Sequence, residues 1–243
     1  RDTAASGPSL TSADEVCGSP QTIAPEVQPA PYHKARHGDA VEINRTTIDV
    51  VGREFRDFVG DPYGRPEVAV HQLDGRTFLR QADGLYDVIQ LSGVDTKAIH
   101  AAGSLSVNQH HVYTREAMRE LLSHLRPDGV LAIIIFSNHS VSRLSATAVA
   151  ALGDLGAPVP PEHLFVLGEG VVFRMLAKRS PFLPAEIAAL HAWAARAGAE
   201  GPDVFIPTYD WVGITSRRPI GVLYSPAPEP RAGADRFRAA PWG

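Results

Sequence analysis

Residues 114–136 read TREAMRELLSHLRPDGVLAIIIF, and this stretch decides the fold. Its last seven residues, 130–136, form the longest apolar run of the chain. A run without polar alternation is typical of a parallel strand that is buried on both faces. The segment before it predicts an amphipathic helix over 114–125, with Thr114 as N-cap and Glu116 in the first turn. Pro127-Asp128-Gly129 is expected to break the helix, so the stretch is a helix followed by a buried strand.

The same alternation of strands and helices extends in both directions from this unit. Apolar runs predict strands at 40–43, 68–73, 86–91, 163–167 and 171–177. Three- and four-residue spacing of apolar side chains predicts helices at 46–59, 142–155 and 184–197, with a short helical turn around Phe78. This pattern predicts an α/β, Rossmann-like fold: a mostly parallel sheet with a C-terminal antiparallel hairpin.

The chain is expected to have three parts. Residues 1–36 form a disordered or irregular arm, because residues 1–31 contain five prolines and no aromatic residue. Residues 37–180 form the Rossmann-like nucleotide-binding domain, and residues 181–243 form a C-terminal helix and an irregular, proline-rich tail.

Composition excludes several classes of protein. The 243 residues carry a net charge of −4 without a block of like charge, so neither a nucleic-acid partner nor a membrane partner is expected. The lone Cys17 excludes a disulfide framework and a cysteine-based zinc site. No apolar run reaches the roughly 20 residues that span a bilayer, and no signal-like start is seen. We therefore expect a soluble, cytoplasmic protein.

Polar residues follow three successive strands. Glu42 ends the first, Asp74-Gly75 follows the second, and Ser92 to Asp95 follow the third. Ligands of such sheets bind outside the carboxyl ends of the strands, where an acid can accept both ribose hydroxyls. An Asp-Gly pair can accept an exocyclic amine while the glycine lets the backbone approach a ring. For one acid alone, a helix cap or turn is an equally good interpretation; three strand ends together favour a nucleotide site.

These strand ends lie in runs that resemble the spermidine synthase (polyamine aminopropyltransferase) family. The runs are VEINRTTIDVV at 41–51, DGRTFL at 74–79, YDVIQLSGVDT at 86–96 and LRPDGVLAI at 125–133. The resemblance extends roughly from Gly38 to Lys178. It implies a class I S-adenosylmethionine-dependent methyltransferase-like fold, a role in polyamine biosynthesis, and decarboxylated S-adenosylmethionine or S-adenosylmethionine as co-substrate. It implies no metal.

The resemblance also assigns roles to matching residues. Glu42 would hold the ribose, and Asp74 with Gly75 would contact the adenine. In the family the third strand ends in two aspartates three residues apart, the first acting as base and the second anchoring the polyamine. Here Ser92 replaces the first and Asp95 matches the second, so these two are the catalytic candidates. A serine does not take a proton at neutral pH without a base of its own.

A second departure concerns the strand and Gly-rich loop that precede the glutamate in the family by about 20 residues. Here that region, 22–32, reads TIAPEVQPAPY, with three prolines and no glycine. We therefore expect the first strand and the Gly-rich loop to be missing.

Three functions stay open at this point. They are an aminopropyltransferase acting on a small-molecule amine, a small-molecule methyltransferase, and a catalytically silent homologue that acts through protein contacts. A homodimer is the oligomeric state considered.

Overall fold

Two sheets organise the part of the chain that the structure describes. The structure is a computed structural model, and it describes residues 36–92, 110–135, 138–169, 172–200 and 221–226. In the N-terminal part, β1 (Gly38–Val41) leads into α1 (Arg45–Asp49), which continues as a π-helical segment (Val50–Glu54). Then follow β2 (Val68–His71), α2 (Gly75–Gln81) and β3 (Tyr86–Ser92). Strands β1 and β2 form a parallel, two-stranded sheet.

The second sheet has five strands in the order β3-β4-β6-β5-β7. A 3-10 turn (His110–Tyr113) leads into α3 (Arg115–Ser123), followed by β4 (Leu125–Ile135) and α4 (Asn138–Asp154). A second 3-10 turn (Pro160–His163) precedes β5 (Leu164–Glu169) and β6 (Val172–Lys178). The chain then forms α5 (Pro184–Glu200) and β7 (Gly221–Tyr224). Strands β3 and β4 are parallel, and the other three pairs are antiparallel.

The α/β class, the hairpin and the Thr114 cap are confirmed. The side chain of Thr114 accepts a hydrogen bond from the backbone N–H of Ala117 at 3.2 Å, as an N-cap should. Strand β5 pairs antiparallel along its whole length with residues 172–177 of β6. The five-stranded sheet is mixed, however, because β6 lies antiparallel between β4 and β5 and β7 adds a further antiparallel edge. The proline-rich tail was not expected to contribute that strand.

Strand β4 is the centre of the packing, as its apolar sequence indicates. Its residues 130–133 and Ile135 are buried. On one face Leu131 and Ile133 join side chains of α3 and α4 in one apolar cluster. On the other face Val130 and Ala132 contribute to a cluster with α5. Helices therefore cover both faces of this strand, which explains why no polar alternation is present.

The two sheets are not joined by a ladder of backbone hydrogen bonds within the described ranges. There β1 pairs only with β2, and β3 pairs only with β4. Burial decreases from β4 towards the two-stranded sheet: β4 is buried on both faces, whereas no residue of β2 or β3 is fully buried. The predictions of an irregular arm over residues 1–36 and of a missing Gly-rich loop concern residues outside the described ranges, with the exception of Arg36.

Candidate functional site

The carboxyl ends of β1 and β2 lie side by side. The register pairs Val41 with His71, and the backbone N–H of Glu42 donates to the carbonyl of His71 at 3.0 Å. Because the pair is parallel, Glu42 and the loop that starts after His71 leave the sheet at the same edge. This edge is where an α/β sheet binds its ligands.

Glu42 is half-buried, and its carboxylate helps to shape the turn after β1. Its Oε1 accepts the backbone N–H of Asn44 at 2.7 Å. Asn44 in turn caps α1 through its side-chain oxygen, which accepts the N–H of Thr46 at 2.9 Å. Within the described ranges, no hydrogen-bond donor reaches the second carboxylate oxygen of Glu42.

Asp74 is the N-cap of α2. Its Oδ1 accepts the backbone N–H of Thr77 at 3.0 Å and the Thr77 hydroxyl at 3.2 Å. The cap interpretation that the sequence left open is therefore real for this residue. It involves one oxygen only, since no hydrogen bond from the described ranges is made to Oδ2.

Gly75 borders open space. A Cβ built on Gly75 would meet no heavy atom within 4 Å, and no positive φ is recorded there. The fold of this loop therefore does not itself require glycine. Room for a planar ring beside the backbone is what the sequence analysis expected at this position.

Ser92 is the last residue of β3 and pairs with Ile134 of β4. It is half-buried. Asp95, the predicted amine anchor, lies outside the described residues. The structure thus brings Glu42, Asp74 and Gly75 to one edge and leaves the role of Asp95 as a prediction.

A polar cluster centred on Asp39 was not predicted from the sequence. The imidazole of His71 donates from Nε2 to Oδ1 of this carboxylate at 2.7 Å, and the Tyr86 hydroxyl donates to Oδ2 at 3.1 Å. His37 also reaches Oδ1, at 3.2 Å. Burial, the charge of Asp39 and this hydrogen bond raise the pKa of Tyr86 to about 12. The only sequence signal was polar residues within two short strands.

A charged cluster fixes α2, which Asp74 caps, against α3. The Arg76 guanidinium donates to both oxygens of Glu120, at 2.7 and 2.8 Å, and Arg80 adds a third hydrogen bond at 2.8 Å. The Arg76 bond is the main reason why the pKa of Glu120 falls to about 2, against the opposing effect of burial. The cluster therefore holds the Asp74 cap relative to the helix that precedes β4.

Within the described ranges, no group of histidine, cysteine and acidic side chains has an arrangement that could hold a metal ion. In the same ranges, no helix combines the length and apolar character needed to cross a bilayer. The residues that could hold an organic cofactor are the strand-end carboxylates and the open backbone at Gly75.

Several solved structures are similar to this chain in fold. A probable spermidine synthase from Corynebacterium glutamicum aligns over 80% of this chain and 60% of its own, with a TM-score of 0.51 at 14% identity. The chain has a Rossmann-like methyltransferase fold. A spermidine synthase in complex with the transition-state analogue AdoDATO aligns over 70% of this chain, with a TM-score of 0.47 at 14% identity. Human methyltransferase-like protein 13 in complex with SAH aligns over 70% of this chain and 76% of its own, with a TM-score of 0.44 at 17% identity.

The expected resemblance is thus confirmed at the level of the fold. The chain spans 53% of the length of the AdoDATO-bound spermidine synthase. No family model and no curated protein matches the sequence.

Proposed function

We propose that the chain binds an S-adenosyl-type nucleotide at the carboxyl ends of β1 and β2 and transfers its aminopropyl group to a small-molecule amine. The observation that supports this most is the pair Glu42 and Asp74 on adjacent parallel strand ends, with open space at Gly75. A nucleoside offers the groups that such a pair recognises, namely a ribose diol and an exocyclic amine.

The carboxylates would act as hydrogen-bond acceptors. Glu42 would accept the ribose hydroxyls through the oxygen that the Asn44 turn does not use. Asp74 would accept the adenine amine through Oδ2 while Oδ1 keeps its bonds to Thr77. Each bond to an ionised carboxylate is worth roughly 1.5–3 kcal/mol when water is excluded.

The transfer step needs a neutral amine and a sulfonium donor, decarboxylated S-adenosylmethionine. The amine nitrogen attacks the carbon next to sulfur, so a C–N bond forms as the C–S bond breaks. The electron pair of the broken bond goes to sulfur, which leaves as the thioether methylthioadenosine, and the new secondary amine carries the extra proton. Positioning the two reactants supplies most of the rate in such a reaction. Asp95 would hold a cationic end of the acceptor.

Ser92 favours a second candidate, a small-molecule methyltransferase that uses S-adenosylmethionine. A hydroxyl at the end of β3 does not deprotonate an ammonium group as a carboxylate would. A methyl acceptor without a cationic nitrogen needs no such base. The two proposals share the nucleotide site and differ in the acceptor.

Isothermal titration calorimetry with methylthioadenosine and S-adenosylmethionine tests the shared site. We expect the wild-type chain to bind at least one of them. Glu42→Gln and Asp74→Asn should weaken that binding about ten-fold or more, the loss expected for one charge-assisted bond. Asparagine is itself a good N-cap, so Asp74→Asn should leave α2 folded.

Glu67→Gln is the matched control, because Glu67 lies at the amino end of β2, whereas the candidate site lies at its carboxyl end. Its affinity should equal that of the wild type. If neither nucleotide produces heat or a thermal shift at millimolar concentration, both enzyme proposals fail and the silent homologue remains. Turnover with each donor then separates the two: Ser92→Asp should raise aminopropyl transfer and lower methyl transfer to a neutral acceptor.

A further inference from the structure

One carboxylate touches three strands. Asp39 lies on β1, and it accepts hydrogen bonds from His71 at the end of β2 and from Tyr86 at the start of β3. Its side chain is only 13% exposed, so water competes weakly for these bonds. Since Tyr86 belongs to the five-stranded sheet, this one acceptor joins the two sheets.

Two of the candidate site residues follow the first two of these strands, and the third ends β3. Glu42 lies three positions after Asp39, and Asp74 lies three positions after His71. Ser92 lies six positions after Tyr86. At about 3.3 Å per strand residue, Ser92 lies roughly 20 Å along β3 from Tyr86.

Aromatic packing also restricts the positions of His71 and Tyr86. The ring of Phe78 on α2 lies 4.7 Å from the imidazole of His71 and 6.5 Å from the ring of Tyr86. Within the described ranges β1 and β3 share no ladder, and there side chains supply the contact between them. The hydrogen bond of Tyr86 to Asp39 joins β3 to β1. The hydrogen bond of Arg76 to Glu120 joins α2 to α3.

We propose that Asp39 is a positioning residue, which sets the end of β3 relative to the ends of β1 and β2. Its role in the site rests on the proposed function: it would hold the nucleotide-binding residues Glu42 and Asp74 at a fixed distance from Ser92, where the acceptor would bind. It touches neither reactant. A displacement of about 1 Å between reacting groups can lower the reaction rate by about a hundred-fold.

A distance measurement between spin labels tests this without any ligand. Labels on Arg45→Cys and Arg143→Cys, in a Cys17→Ser background, report on helices that follow β1 and β4, and both positions are exposed. Tyr86→Phe removes only the bond to β3, and Asp39→Ala removes all of them. Asp39→Asn keeps an oxygen that can accept the Tyr86 hydroxyl.

Asp154→Asn is the matched control. The carboxylate of Asp154 accepts from Arg115 at 2.7 Å, which joins α3 to α4 within the five-stranded half. This variant should change neither the label distance nor its spread. Circular dichroism at the same temperature confirms that each variant is folded.

We expect a broader or shifted distance distribution in Tyr86→Phe and Asp39→Ala, and a distribution close to that of the parent in Asp39→Asn. Methylthioadenosine affinity should fall about three- to ten-fold in the first two variants while they remain folded. A parental distribution in Tyr86→Phe overturns the proposal, and so does an unchanged affinity in a variant with an altered distance. If Asp39→Ala does not fold, Tyr86→Phe decides. If the parent binds no nucleotide, the proposed function fails, and the label distances alone still decide whether Asp39 positions the strands.

Discussion

Replacing Glu120 with glutamine should destabilise the chain at neutral pH and not at acid pH. The Arg76 and Arg80 contacts hold the pKa of Glu120 at about 2, against a usual value of 4.5. Without solvent screening, this difference corresponds to about 3 kcal/mol of stability when the carboxylate is charged. Solvent screening reduces it, because the side chain of Glu120 is 26% exposed and that of Arg80 is 58% exposed. We expect Glu120→Gln to lower the free energy of unfolding by about 1–2 kcal/mol at pH 7.

The sign of the pH dependence follows from the lowered pKa. A carboxyl group whose folded pKa lies below its unfolded pKa stabilises the fold above pH 4.5, and this contribution is lost as the pH falls towards 2. The difference in unfolding free energy between wild type and Glu120→Gln should therefore shrink over that interval. Urea unfolding at a series of pH values, followed by circular dichroism, measures it.

Asp83→Asn is the control for the loss of an exposed carboxylate near the same helix. It should leave the free energy of unfolding within about 0.5 kcal/mol of wild type. A Glu120→Gln penalty that is the same at pH 7 and at pH 2.5 would show that the charge of Glu120 is not what stabilises the contact between α2 and α3.

Two further predictions concern one half-buried and one buried polar group. With a pKa raised from 10.0 to about 12, Tyr86 should not ionise in the folded chain at pH 11, so Tyr86→Phe should leave the tyrosinate absorbance unchanged there; one tyrosinate fewer in the variant would contradict this. The neutral phenol stabilises the fold below pH 10, and this contribution disappears as the pH rises through 12. Lys178→Met should lower the free energy of unfolding in urea by about 3 kcal/mol, because the ammonium of Lys178, which is 2% exposed, donates to Glu186 at 2.6 Å. In the variant the Glu186 carboxylate keeps the Leu183 N–H at 2.8 Å but loses its cation. The double variant with Glu186→Gln should recover part of the loss, and a single variant as stable as wild type would refute the argument.

The sequence predicted those elements whose apolar pattern coincides with their burial. The buried strand β4, the helix capped by Thr114 and the β5–β6 hairpin all follow from local residues and short connections. The helix expected over residues 46–59 instead ends early, since α1 gives way to a π-helical segment at Val50. Phe58 satisfies the helical spacing but is 87% exposed, so its periodicity did not report packing.

Two other features depend on distant partners and could not be read locally. Pro127 lies inside β4, where the pairing with β3 shifts register between Tyr86 and Val88, so the proline accompanies an irregularity and does not end the element. Strand β7 is only four residues long and forms because β5 offers it an edge. Strand–helix alternation also could not show how many pairs of the larger sheet are antiparallel.

The strand-end residues were predictable because parallel strands bring their carboxyl ends to one edge, and this holds for Glu42 and Asp74. The Asp39 cluster was not, because it depends on which face each strand turns towards the next. Single polar residues in short strands do not carry that information.

A crystal structure of the chain grown with methylthioadenosine tests the central claim most directly. We predict a ribose whose hydroxyls donate to the Glu42 carboxylate and an adenine whose amine donates to Asp74, in the space beside Gly75. A nucleoside bound away from the carboxyl ends of β1 and β2, or one that contacts neither carboxylate, would contradict the account.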